Sequence, residues 1–161
     1  MDEKYHVIST LVEDKPGVLQ KVAGMFNRRG FNIDGITVGS SEVEGLSRMV
    51  ITVHADEKGL EQVMKQLNKL IDVIKIKDIT EKAVKRDLCL VKVSIPNAEA
   101  RAEIMQYSNI FRAHILDVTE ETLMMELTGD KNKINAFISL LEGYGIKRIA
   151  RTGLTAMSRG V

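Results

Sequence analysis

The order in which apolar patterns follow one another in the first 80 residues limits the possible folds most strongly. A compact apolar run predicts a buried strand, apolar residues at helical spacing predict a helix, and alternation predicts a strand with one exposed face. The six segments, in the order strand, helix, strand, strand, helix and strand, are residues 5–12, 18–29, 31–38, 48–53, 60–71 and 73–79. This βαββαβ order predicts a sheet of four antiparallel strands with two helices on one face.

The second half of the 161-residue chain repeats this order without obvious sequence identity. A polar stretch at 80–87 lacks a strong apolar stripe and separates the two halves. We therefore predict an α+β protein with two tandem domains, residues 1–80 and 81–161. Because a unit of about 75 residues buries only a limited share of its surface, we also expect a homodimer or higher homo-oligomer that covers the other face or an edge of the sheet.

The turn between the first strand and the first helix is a candidate anion-binding site. Asp14 is predicted to cap the helix, Pro16 fits its first turn, and Gly17 allows a close approach of the backbone. The unpaired N–H groups at such a helix start suit a carboxylate, and Asn32 could present its amide beside them. The alternative is purely structural: Pro16 and Gly17 start a helix, and Asn32 starts a strand.

The second strand changes phase in its middle. Its apolar residues occupy odd positions up to Ile33 and even positions from Ile36 onward. Since side chains alternate between the two faces of a strand, both sets can share one face only if a residue is inserted between them. We therefore predict a bulge or bend near Asp34 and Gly35.

Composition and charge argue against several classes of partner. Lys and Arg total 23 against 22 acidic residues, and aromatic residues make up 4% without any Trp, so a nucleic-acid partner is not expected. No apolar run approaches the roughly 20 residues that cross a bilayer, and the first residues lack the apolar core of a signal peptide. A single Cys cannot build a disulfide framework. We expect a protein of the reducing cytoplasm with no membrane partner.

The sequence contains no cluster with catalytic or metal-binding spacing. Its three His residues are scattered at positions 6, 54 and 114, so we predict no metal site. Cys89 falls in a predicted core strand, where packing is the simplest role. A phosphate-cradling loop, a nucleophile elbow and a dinucleotide fingerprint are all missing from the sequence. The C-terminal stretch 151–161 is either a frayed strand end or a docking segment.

Two segments resemble the signature of ACT domains, which are βαββαβ modules that bind amino acids at dimer interfaces. They are Asp-Lys-Pro-Gly-Val-Leu at 14–19 and Arg-Gly-Phe-Asn-Ile at 29–33. The order of further matches is similar to the family of regulatory (small) subunits of acetolactate synthase, also called acetohydroxyacid synthase. These matches are at 36–38, 46–49, 66–73, 90–93, 110–113, 115–119, 150–153 and 158–160. The resemblance covers nearly the whole chain.

The resemblance implies a regulatory protein without catalytic residues or a cofactor of its own. Such a protein activates a separate catalytic subunit, which carries thiamine diphosphate, magnesium and FAD, and transmits feedback inhibition by valine in branched-chain amino-acid biosynthesis. Residues 1–80 would form an ACT domain that dimerises and binds valine between two copies. Residues 81–161 would form a ferredoxin-like, ACT-like domain that contributes to activation.

The resemblance also implies which residues hold the effector. The positions that match the effector site of the family are Asp14, Gly17, Val18, Asn32, Ile33, Thr37 and Gly39. Gly39 stands where many members of the family carry Ala. Two alternatives remain open, namely a stand-alone amino-acid-sensing ACT protein with another target and, less favoured, a small ferredoxin-like enzyme.

Overall fold

The computed structural model describes residues 2–160. Met1 and Val161, the outermost residues of the two predicted domains, lie outside the described residues. The chain divides into two units, one formed by Met1–Val84 with Thr155–Val161 and the other by Lys85–Leu154. Helices and antiparallel sheets make up both units, so the predicted α+β class with two βαββαβ repeats is confirmed.

The first unit has the predicted order of elements. They are β1 (Lys4–Glu13), α1 (Val18–Arg28), β2 (Ile33–Ser40), β3 (Leu46–Ala55), α2 (Glu57–Asn68) and β4 (Val73–Asp78). The strands form one antiparallel sheet in the order β2-β3-β1-β4, so that β2 and β4 are its edges. Central strand β1 pairs with β3 over its whole length, from Lys4 opposite Ala55 to Glu13 opposite Leu46.

The helices of the first unit cover one face of this sheet. Because residues opposite each other in an antiparallel pair point to the same face, Ile8 on β1 and Ile51 on β3 lie together. Both are completely buried and belong to one apolar core. The buried residues that the two helices add to this core are Val18, Val22, Met25, Phe26, Val63 and Leu67. The amphipathic pattern of the sequence thus predicted the core face of both helices, except that Leu19, which belongs to the same apolar pattern, is 48% exposed.

The second unit is built from the second βαββαβ repeat. Its elements are β5 (Ala83–Ser94), α3 (Ala98–Phe111), β6 (His114–Val118), β7 (Thr122–Gly129), α4 (Lys131–Glu142) and β8 (Ile146–Arg151). Its strands are ordered β6-β7-β5-β8. Cys89 is completely buried in the apolar core of this unit, which confirms its predicted packing role.

Strand β5 begins at Ala83, within the polar stretch 80–87 that the sequence pattern places at the boundary between the two halves and assigns to no element. Asp87 in this stretch is buried, and its Oδ2 atom accepts hydrogen bonds from Nε of Arg151 at 2.9 Å and from Nη2 at 2.5 Å. The guanidinium compensates a carboxylate that would otherwise be costly to bury. Since the two residues are 64 positions apart, local polarity alone could not predict the strand.

The face of the first sheet away from the helices is partly covered within this chain. Val7, Val50 and Thr52 lie on that face and are almost completely buried. A short strand, β9 (Thr155–Ser158), belongs to the first unit and lies against β1, and its Ala156 is also buried. Residues 155–158 are therefore an ordered strand, so the alternative of a frayed end is wrong for this part of the tail.

We expect Ala156→Asp to lower the free energy of unfolding by about 2 kcal/mol or more, because it places an unpaired charge at a buried position. The matched control is Met157→Asp on the same strand, where the side chain is 64% exposed and the change should stay within about 0.5 kcal/mol. Urea denaturation of both variants measures the difference. Equal stability of the two variants would show that β9 is not held against the sheet.

Candidate functional site

The turn between β1 and α1 is shaped by a glycine in the left-handed conformation. Gly17 has φ 86° and ψ −7° and directly precedes α1. This backbone conformation is strained for an L side chain, although a Cβ atom on Gly17 would meet no other atom within 4 Å. The space around Gly17 is therefore open, and a ligand can approach the backbone closely.

Asp14 does not cap α1, so that prediction is wrong. The cap position is Gly17, and the N–H of Asp14 instead donates to the carbonyl of Gly45 at 2.9 Å. Pro16 likewise lies in the turn before the helix and not in its first turn. The reason is a tertiary contact, since the loop between β2 and β3 fixes Asp14 before the helix begins.

Among residues 2–160, α1 alone starts without a capping side chain. The side chains of Asp56, Asn97 and Asp130 accept a backbone N–H at the starts of α2, α3 and α4. At the start of α1, the N–H of Val18 makes only a 3.4 Å contact with the carbonyl of Lys15. The first N–H groups of α1 can therefore bind an anion.

A largely buried carboxylate links the strand and the helix on either side of the β1–α1 turn. The backbone carbonyl of Asp72 accepts a hydrogen bond from the N–H of Glu13 at 2.9 Å, and its carboxylate accepts one from Nζ of Lys21 at 2.7 Å. Asp72 thereby ties the end of β1 to the start of α1, and the hydrogen bond from Lys21 holds the pKa of Asp72 below its usual value. Sequence reasoning missed Asp72 because its partner lies 51 positions away.

Asn32 lies at the opposite end of the sheet from Gly17. Strand β3 pairs with the end of β1 through Leu46 and with the start of β2 through Val53. The 11 residues of α1 span about 16 Å between these two ends. Within one chain Asn32 therefore does not stand beside the helix start, and that expectation is wrong. Its side chain is exposed and has no hydrogen-bond partner within residues 2–160.

A bulge follows Asn32, as the phase change in the sequence predicted. Ile33 pairs with Val53 and Gly35 with Thr52, so Asp34 has no residue opposite it. The Thr52 hydroxyl donates to the carbonyl of Gly35 at 3.3 Å, and a Cβ atom on Gly35 would come within 3.1 Å of that hydroxyl. The side chain of Thr52 thus leaves little room for any residue except glycine at this position.

The remaining two predicted residues lie further along β2. Gly39 is exposed and opposes Arg48, which places it at the same end of the sheet as Gly17. Thr37 is half-buried and opposes Val50 in the middle of β3. One chain therefore presents the seven predicted residues in three places: Asp14, Gly17, Val18 and Gly39 at one end, Thr37 in the middle, and Asn32 and Ile33 at the other end.

The part of the chain that the structure describes offers little evidence for other kinds of site. A cavity of about 290 Å³ is lined by Asp2, Lys4, His6, Ala55, Asp56 and Glu57, and it contains none of the predicted effector residues. No group of three or more His, Cys, Asp or Glu residues among those described could hold a metal ion. None of the described helices is long and apolar enough to span a bilayer.

Two family models together match most of the chain. The AHAS small subunit-like ACT domain matches residues 8–75, which contain all the predicted effector residues. The model described as the small subunit of acetolactate synthase matches residues 86–160.

Full-length relatives carry the same description. The chain is 59% identical over 161 residues to the "Probable acetolactate synthase small subunit" of Methanothermobacter thermautotrophicus, covering 99% of this chain and 96% of that protein. It is 48% identical over 161 residues to the "Acetolactate synthase small subunit" of Mycobacterium bovis, covering 99% and 95%. The crystal structure of the acetolactate synthase small subunit from Thermotoga maritima superposes with a TM-score of 0.92 at 47% identity, covering 98% of this chain and 99% of that one.

We expect Asp72→Asn to lower the melting temperature at pH 7, because the amide cannot form the ion pair with Lys21. A carboxyl group whose pKa is lowered by folding stabilises the protein above its unfolded pKa, near 3.8, and this contribution is lost as the pH falls through the lower folded pKa. The difference between variant and wild type should therefore shrink below about pH 3.8. Thermal unfolding monitored by circular dichroism between pH 7 and pH 3 measures it.

The matched control for Asp72→Asn is Glu61→Gln. Glu61 also pairs with a lysine, Lys65, at 2.7 Å, but both side chains are exposed. Since exposed pairs on one helix contribute little, we expect a clearly smaller change in melting temperature. A deficit of the Asp72 variant that stayed constant down to pH 3 would contradict the proposed role of the carboxylate.

Proposed function

Because this chain belongs to the family of acetolactate synthase small subunits, we propose that it is the regulatory subunit that binds and activates the catalytic subunit of acetolactate synthase. The single observation that carries this proposal is the identity of 48–59% with small subunits along almost the entire chain. In the proposed complex, thiamine diphosphate, magnesium and FAD belong to the catalytic subunit. This chain supplies regulation and no catalytic residue, and its second unit contributes to activation.

We further propose that valine acts as the feedback inhibitor of branched-chain amino-acid biosynthesis and binds between the first units of two copies of this chain. The two ends of the candidate site are separated by the length of α1, so one chain cannot bring them together. A twofold axis beside edge strand β2 would pair two β2 strands antiparallel and reverse their ends. The partner subunit's Asn32 and Ile33 would then lie close to Gly17 and the start of α1.

The chemistry of the two ends of the candidate site suits an amino acid. The uncapped N–H groups at Gly17 and Val18 would bind the carboxylate of valine, favoured by the positive end of the helix dipole. The side-chain carbonyl oxygen of the partner subunit's Asn32 would accept a hydrogen bond from the ammonium group of valine. Because each copy contributes half of the contacts, effector binding favours one arrangement of the two copies, and this preference can be passed to the catalytic subunit.

Mixing the purified chain with the acetolactate synthase catalytic subunit tests the function directly. We expect the chain to raise the turnover of the catalytic subunit and valine to reverse part of this gain. The coupling between valine binding and subunit binding should change either affinity by about 5- to 150-fold. The chain alone should show no turnover. Valine binding without any effect on the catalytic subunit would favour a stand-alone sensor, and turnover by the chain alone would favour an enzyme.

Substitution at Gly17 tests the carboxylate site. Gly17→Asp places a negative charge beside the uncapped N–H groups, so we expect valine binding measured by calorimetry to fall by at least tenfold. The matched control is Gly17→Asn, because Asn has nearly the same shape and tolerates the left-handed conformation equally well. Since only the charge differs, Gly17→Asn should retain more affinity. Equal affinity of the two variants would contradict an anion site at this turn.

Mixed dimers test whether the site is shared between copies. A dimer of one Gly17→Asp chain and one Asn32→Ala chain contains one intact site and one doubly altered site, whereas each homodimer contains only impaired sites. Such mixed dimers can be purified through two different affinity tags. We expect them to bind valine with near-wild-type affinity at about half the wild-type stoichiometry. If the mixed dimer binds no better than the homodimers, the site is not shared.

A further inference from the structure

A histidine on β3 contacts the bulge that follows Asn32. The Nδ1 atom of His54 lies 2.5 Å from Oδ2 of Asp34, the unpaired residue of the bulge. His54 also contacts the ring of Tyr5 on β1, with the ring centroids 5.3 Å apart. With Thr52 bound to the carbonyl of Gly35, two neighbouring side chains of β3 thus hold the two residues of the bulge.

We propose that His54 is a positioning residue of the effector site: by binding Asp34 it holds the adjacent segment Asn32–Ile33 in the conformation that receives the amino acid. This inference rests on the proposed effector site and adds a residue that positions it. His54 itself touches no ligand in this proposal and acts only through the bulge.

The local structure explains why this contact matters for binding. Asn32 precedes the first residue of β2, and its side chain has no hydrogen-bond partner within residues 2–160. Its position therefore depends on the backbone on either side, and the bulge fixes the C-terminal side. If the bulge loosens, a smaller fraction of the molecules presents Asn32 correctly, and the apparent affinity falls in proportion.

The contact between His54 and Asp34 should therefore contribute to effector binding. The groups that face His54 from neighbouring strands are the Asp34 carboxylate on β2 and the Tyr5 ring on β1, while Thr52, the next residue on its own face of β3, is uncharged. Removal of either partner of this contact should loosen the bulge and weaken binding of the amino acid.

Calorimetric titration of the full chain with valine tests the inference. His54 and Asp34 are 47% and 31% exposed, so we expect a modest effect, with a dissociation constant about two- to fivefold larger for His54→Ala than for the wild type. His54→Asn, whose amide can still donate to Asp34, should recover part of the affinity.

The matched control is His114→Ala in the second unit. His114 is also exposed and also faces a carboxylate, with Nδ1 at 3.7 Å from Oε1 of Glu126. This variant should keep the affinity of the wild type. Should His54→Ala prove poorly folded, Asp34→Asn gives the same test with the histidine in place, because it removes the carboxylate that His54 contacts and should weaken valine binding to a similar extent.

The outcomes separate this inference from the proposal on which it rests. If the wild type binds no branched-chain amino acid, the effector site and the role of His54 are both overturned. If the wild type binds valine but His54→Ala, or Asp34→Asn, keeps the wild-type affinity, only the role of His54 is overturned.

Discussion

The pairing of β1 with β3 is the constraint on which the first unit depends. It runs without interruption from Lys4 opposite Ala55 to Glu13 opposite Leu46, in the centre of the sheet. This register fixes where β1 ends, and the adjoining hairpin loop can then bind the N–H of Asp14 through Gly45. Since α1 must return along the sheet to start β2, the start of the helix and Asn32 necessarily lie at opposite ends.

This separation gives the proposed effector site its regulatory character. A site complete within one chain would bind valine whether or not two copies had assembled. A site made of two halves binds valine only in the assembled state, so binding energy and assembly are coupled. The uncapped start of α1 and the exposed side chain of Asn32 are each unsatisfied in one chain, and in the proposed dimer each would contribute contacts to the ligand.

Residues outside the proposed ligand contacts hold both halves of the candidate site in place. Asp72 joins β1 to α1 through its carbonyl and its carboxylate, and His54 binds the bulge after Asn32. Both contacts link residues that lie on different elements of the unit. Their individual contributions to stability are small because Lys21 and His54 are largely exposed. Their importance lies in geometry, since each fixes a backbone segment of the candidate site.

The sequence by itself determined the order of the elements, the core face of the helices and the bulge at Asp34. These features depend on residue spacing along one segment, and the alternation of apolar residues or its interruption records them directly. Residue motifs also identified the family and the candidate residues. Only the tertiary structure showed that Gly17 and not Asp14 precedes α1, that residues 83–87 join a strand, and that Asn32 lies far from Gly17. In each case the cause is a contact or distance between segments remote in sequence, and no local pattern contains it. The three causes are the hydrogen bond of Asp14 to Gly45, the ion pair of Asp87 with Arg151, and the length of α1 across the sheet.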